Sequence, residues 1–196
     1  MPQPEHLTAL AIEPPATADL PEDLQKYFRL CEERLGMIPN VLRAYAHAPE
    51  QLRGFSRLYN ALMIGESGLT ALEREMIAVV VSSANHCYYC LTAHGAAVRE
   101  YSGDPQLGEM LVMNYRVAAL PPRQRAMLDF AAKLTQAPDR IDEADRQRLR
   151  DAGFGERDIW DIANVTGFFN MSNRVAAAVD MQPNPEYHAR HRSRAP

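Results

Sequence analysis

The sequence predicts an all-α protein, and three observations carry the prediction. Apolar side chains recur every three or four positions along most of the chain, the spacing of one helix face. Proline, threonine, aspartate and glycine bracket those stretches where helices start and stop. Only Val79-Val80-Val81 favours a strand by propensity, and no second strand candidate exists to pair with it.

Residues 1–18 are proline-rich and are expected to form an extended arm lying on the surface or on a partner subunit. Leu20, Leu24, Phe28, Cys31 and Leu35 then repeat at helical spacing between Pro21 and Gly36, which predicts an amphipathic helix with Cys31 inert in the core. Asn40 is expected to cap a second helix through Ala48. A third runs from Pro49 to about Ile64 and buries Leu52, Phe55, Leu58, Tyr59 and Leu62. Gly65 and Gly68 break the chain, and Thr70 with Glu73 forms a capping-box signature for the next helix.

Beyond Tyr101, Ser102 to Pro105 make a turn before a short helix to about Val112. Pro121 and Pro122 open another, striped by Met127, Leu128, Ala131 and Leu134. Asp142 caps a short helix ending at Gly153, and a long one spans about 156–180 with Ile159, Ile162, Ala163, Phe169 and Val175. The tail, residues 182–196, is polar and basic and is expected to be surface-bound or mobile. Shifting the chain by 83 residues lays Glu73-Arg74-Glu75 on Glu156-Arg157-Asp158 and puts Asn170 and Asn173 at the positions of Cys87 and Cys90. That register suggests an internal duplication of a helix hairpin.

Composition narrows the partners. The 196 residues are 46% hydrophobic and 23% charged, enough for one buried core, and a single domain over residues 1–196 is expected. A net charge of -4 offers no basic field, so neither nucleic acid nor a membrane surface is an expected partner. No apolar run approaches the roughly 18 residues of a membrane span, and the first residues do not read as a signal peptide. A cytoplasmic location is expected. Three cysteines, one of them remote, fit catalysis or metal binding better than structural disulfides.

The chemistry concentrates between Leu69 and Tyr101. Cys87 and Cys90 are separated by two residues, so one helical turn brings the sulfurs within disulfide reach. His94 stands four residues after Cys90, on the same helix face, where the two can share a proton. Glu75 lies twelve residues before Cys87, about 18 Å away on one straight helix and out of reach. If the chain reverses near Ser83 to His86, two antiparallel helices set Glu75 opposite His94, and a carboxylate, an imidazole and a thiol line one seam. Such a relay suits the making of a thiolate, the nucleophilic form of cysteine.

Rival readings of the pair remain open. Two buried cysteines can be plain small hydrophobes. His86, Cys87, Cys90 and His94 offer four potential zinc ligands, but adjacent residues diverge on a helix and no second ligand pair follows, so no metal is expected. Haem attachment needs histidine where Leu91 stands, and a thioredoxin-type site needs a preceding strand. No other cofactor is expected.

The spacing of Glu75, Cys87, Cys90 and His94 resembles that of the alkylhydroperoxidase D (AhpD) and carboxymuconolactone decarboxylase superfamily, position for position. The later segments LDFAAKLTQAP, DAGFGERDIWDIANVTGFFNMSNRVA and PNPEYH resemble its peroxidase-related branch, so the likeness spans the chain from about Leu20 onward. The resemblance implies an all-α fold, a homo-oligomer, and thiol peroxidase or disulfide reductase activity. It implies that Cys90 attacks the hydroperoxide, Cys87 resolves the sulfenic acid, and Glu75 and His94 relay protons. It also implies a dithiol or thioredoxin-like reductant. Tyr89 departs from the AhpD pattern, in which a relay histidine occupies that position. A carboxymuconolactone-decarboxylase-like lyase shares the fold without needing a dithiol, and a non-enzymatic redox-sensing oligomer would keep the pair without fast turnover.

Overall fold

The computed structural model describes residues 3–193, so the ends of the expected arm and tail, residues 1–2 and 194–196, lie outside the described residues. The described residues form nine α-helices and four 3-10 turns, with no strand. The helices are α1 (Glu22–Leu35), α2 (Asn40–Tyr45), α3 (Pro49–Met63), α4 (Ala71–Ala84), α5 (Tyr88–Ser102), α6 (Pro105–Asn114), α7 (Pro122–Gln136), α8 (Glu143–Asp151) and α9 (Glu156–Ala178). None is long and apolar enough to cross a membrane.

Everything is arranged around α4, which packs against α5, α6, α7 and α9. Its residues Met76 to Val81 are buried consecutively, so every face is covered and no single apolar stripe is needed. That burial decides the conformation of Val79-Val80-Val81. The helix penalty of a β-branched residue is at most about 0.7 kcal/mol, whereas burying each valine is worth about 1.5–3 kcal/mol. The start of α4 is fixed as the sequence predicts: the Glu73 amide donates to Thr70 Oγ1 at 3.1 Å, and the Thr70 amide donates to Glu73 Oε2 at 2.9 Å. Gly36 ends α1 in the left-handed region at φ 69°, and an Asp142–Asp145 capping box starts α8.

The reversal between α4 and α5 takes three residues. The Cys87 amide donates to the Ser82 carbonyl at 3.0 Å and the His86 amide to the Ser83 carbonyl at 3.1 Å, which together are a Schellman closure. His86 occupies the left-handed position of that closure, at φ 53°. Cys87 then serves directly as the N-cap of α5.

Several local expectations differ. Asn40 does not cap α2; it is the first helical residue, and its side chain donates to the Gln182 carbonyl at 3.0 Å while its amide donates to Asn184 Oδ1 at 2.6 Å. The helix stops at Tyr45, short of Ala48. Leu58 is 46% exposed because it lies about 100° round the helix from the Leu52–Tyr59 stripe, beyond the covered face. The segment in register with the α4–α5 hairpin is the uninterrupted helix α9, so the hairpin itself is not repeated.

The arm and the tail hold each other. The Ala9 amide donates to the Val179 carbonyl at 2.8 Å, the Gln182 amide to the Leu7 carbonyl at 3.1 Å, and His6 Nε2 meets Asp180 Oδ2 at 2.8 Å. The tail's polarity serves docking: Asn184 donates to the Ile38 carbonyl at 2.9 Å, and Arg99 donates to the carbonyls of Tyr187 and Arg190. Met181, Gln182 and Asn184 are buried.

Candidate functional site

The hairpin brings together what the spacing could only permit. Glu75, buried on α4, faces His94 on α5, with His94 Nδ1 to Glu75 Oε2 at 2.7 Å. A carboxylate can only accept, so Nδ1 carries the hydrogen, and Nε2 is the ring nitrogen left to take up or release a proton. Phe169 from α9 meets the imidazole edge-on at 4.6 Å, which further fixes the ring plane.

Cys87 and Cys90 are both free thiols and are 1% and 2% exposed. They sit in a small apolar cluster apart from the main core, with Ala44 from α2, Ala176 from α9 and Met181, flanked by Leu7, Val41 and Val179. Cys31 on α1 is half-buried against the main core, where burial pushes its thiol up.

The two thiols of the pair differ in acidity. Cys87 is lowered to about 7, first by the hydrogen bond from the Cys90 thiol, against the opposing effect of burial. The Cys90 backbone amide at the start of α5, the field of His94 and the Asn173 side chain lower it further. Cys90 is pushed well up, because its thiol donates to Cys87 and because it is buried. Negative charge on the dithiol therefore gathers at Cys87.

Tyr89 is buried in the same apolar cluster as the two cysteines. Its hydroxyl accepts the Val41 amide at 3.0 Å and ties α5 to the start of α2. His47 bonds the Ala44 carbonyl, and His86 stands in the turn. No group of three or more His, Cys, Asp or Glu among the described residues could hold a metal ion.

Sequence reasoning did not assign Ser82, Asn85, Ser172 or Asn173 to this site. Asn173 and Ser172 approach the thiols from α9, more than eighty residues away in the chain. The one signal was the 83-residue register, which marked Asn173 as a counterpart of Cys90 rather than as its neighbour.

Leu7 and Met181, far apart in the chain, both pack in the cluster that covers the sulfurs. Met181→Ala, which removes a buried side chain from that cover, is expected to raise the alkylation rate of the pair about tenfold, since large-to-small core changes cost about 2–5 kcal/mol and promote local opening. Timed labelling with iodoacetamide measures this; an unchanged rate would mean that reagents reach the sulfurs by another path.

The carboxymuconolactone decarboxylase family profile matches residues 49–133. Among solved structures, the chain is 65% identical to an uncharacterized peroxidase-related protein from Silicibacter sp. TM1040, with a TM-score of 0.92 over 98% of this chain and 100% of that one. It is 41% identical to an uncharacterized peroxidase-related protein from Ralstonia eutropha JMP134 described as an alkylhydroperoxidase AhpD core, with a TM-score of 0.93 over 98% and 100% of the two chains. The debrominase Bmp8 shares the fold alone, at 22% identity and a TM-score of 0.78 over 91% of this chain and 95% of that one. A search of the curated proteins finds no match.

Proposed function

The chain belongs to the AhpD and carboxymuconolactone decarboxylase superfamily, and on that premise we propose that it is a thiol-dependent peroxidase working through Cys87 and Cys90 with Glu75 and His94 as proton relay. The observation that carries the reading is the 2.7 Å Glu75–His94 pair on the same hairpin as a reduced dithiol of unequal acidity.

The thiolate attacks the outer oxygen of a hydroperoxide; an S–O bond forms, the O–O bond breaks, and the alcohol departs with a proton supplied through the relay. The second thiol displaces water from the sulfenic acid and closes the disulfide. A dithiol or thioredoxin-like reductant then returns two electrons and two protons. For the attacking sulfur, the acidity of Cys87 supports an order opposite to the one the resemblance implies, with Cys87 attacking and Cys90 resolving.

The chain is further proposed to form a homo-oligomer, which the exposed Ile64, Met113, Val117 and Trp160 side chains support. The near-complete burial of both sulfurs favours one second reading, a redox-sensing protein oxidised once and slowly. Steady-state consumption of a hydroperoxide panel with a dithiol donor is expected, from a species that sediments as more than one chain. Oxidation that stops after one equivalent with every donor would favour the sensor, and a solely monomeric species would remove the oligomer.

A further inference from the structure

The polar side chains that α9 sends toward the dithiol form one chain of hydrogen bonds whose orientation is determined from its ends. Arg174, which can only donate, bonds Asn170 Oδ1 at 2.8 Å, and Asn170 Nδ2 donates to the Thr166 carbonyl at 3.0 Å. The amide of Asn170 is thereby oriented, with its oxygen toward Asn85. Asn85 Nδ2 donates to that oxygen at 3.1 Å and to Asn173 Oδ1 at 3.0 Å. Asn173 must then turn its nitrogen the other way, where one hydrogen goes to Ser82 Oγ at 3.0 Å.

An amide nitrogen carries two hydrogens, and the second is left for the sulfurs: Asn173 is 1% exposed, and its side chain lowers both the Cys87 and the Cys90 thiol. One turn further along α9, Ala176 packs against the same two cysteines. A buried thiolate without a donor is costly, whereas a neutral donor held rigidly in place stabilises it without adding a competing charge.

We infer that Asn173 is a positioning residue of the dithiol: oriented by Asn85 and Ser82, its amide N–H holds the negative charge on the pair and sets the two sulfurs for disulfide closure. The inference rests on the proposed thiol chemistry of Cys87 and Cys90 and adds α9 to the α4–α5 hairpin as part of the working site. Asn85 acts one bond further out, by preventing the Asn173 amide from turning over.

The pH dependence of iodoacetamide alkylation, read on the Cys87 peptide by mass spectrometry, tests this without any peroxide turnover. Asn173→Ala is expected to move the midpoint upward and leave about tenfold less thiolate at pH 6, the effect of one pKa unit. Asn85→Ala, at a part-buried position outside the thiol cluster, should move it in the same direction by about threefold, half a unit, and serves where Asn173→Ala fails to fold. A lowered Tm with an unmoved midpoint in either folded variant would overturn the inference, since a purely structural role predicts that result. If the midpoints shift but the wild-type protein turns over no hydroperoxide, the peroxidase reading fails and the role of Asn173 stands.

Discussion

Cys90→Ser is expected to consume a single equivalent of hydroperoxide and stop with a dimedone-reactive sulfenic acid on Cys87, whereas Cys87→Ser is expected to consume none. The expectation follows from where the charge sits. Cys87 is the N-cap of α5, accepts from the Cys90 thiol, and is lowered to about 7. Cys90 is buried and pushed well up. At pH 7 about half of Cys87 would be thiolate, against about 1% for a thiol left at its ordinary value near 9.0. Only the thiolate attacks, so the nucleophile is concentrated at Cys87 and scarce at Cys90 from the outset. Serine at position 90 also withdraws the thiol hydrogen bond, though its hydroxyl can donate in its place. Label on Cys90 in Cys87→Ser, with none on Cys87 in the reciprocal variant, would restore the order that the resemblance implies.

His94→Ala is expected to slow the first oxidation about fivefold at pH 7, the effect of raising the Cys87 midpoint by about one pKa unit, and to lose most of that deficit as the pH approaches 9. The sign follows from the cause: the field of His94 helps hold the Cys87 thiol below its ordinary value, so its removal moves the midpoint upward. Thiolate is then scarce at pH 6 to 7 and restored at higher pH, where the thiol ionises unaided. Glu75→Gln should give a smaller defect of the same shape, because the glutamine oxygen can still accept the Nδ1 hydrogen at the 2.7 Å contact while its charge is lost. Stopped-flow oxidation across this pH range separates the possibilities. A deficit equal at every pH would assign His94 to proton delivery to the departing alcohol and not to thiolate formation.

The acidity difference begins with the hydrogen bond from the Cys90 thiol to Cys87, and the turn adds to it. The Schellman closure ends α4 at Asn85, places His86 in the left-handed region and delivers Cys87 to the mouth of the next helix. There the unpaired first-turn amides face one sulfur more directly than the other. The same closure sets the register of α5 against α4, which is why Glu75 and His94, nineteen residues apart, meet.

Helices, breaks and caps were legible because their signals are local. The Thr70–Glu73 box, the Gly36 stop and the proline starts of α3 and α7 act within about one helical turn, and the structure keeps them all. The cysteine pair, His94 and the fitting distance of Glu75 were legible for the same reason, since each is a spacing along one or two helices. Asn40 failed as a cap because two distant partners, the Gln182 backbone carbonyl and the Asn184 side chain, take its polar groups into the tail instead.

By itself the sequence determined the helical class and the position of nearly every helix, because apolar period and capping are short-range properties of the chain. The tertiary structure alone decided that α9 stands over the dithiol with Asn173 and Ser172, that Met181 and Leu7 close over it, and that Cys87 is the more acidic sulfur. Those outcomes depend on which helix packs beside which, and thus on desolvation and on hydrogen bonds between residues more than eighty positions apart. No local pattern specifies such pairings; they exist only once the core around α4 has formed.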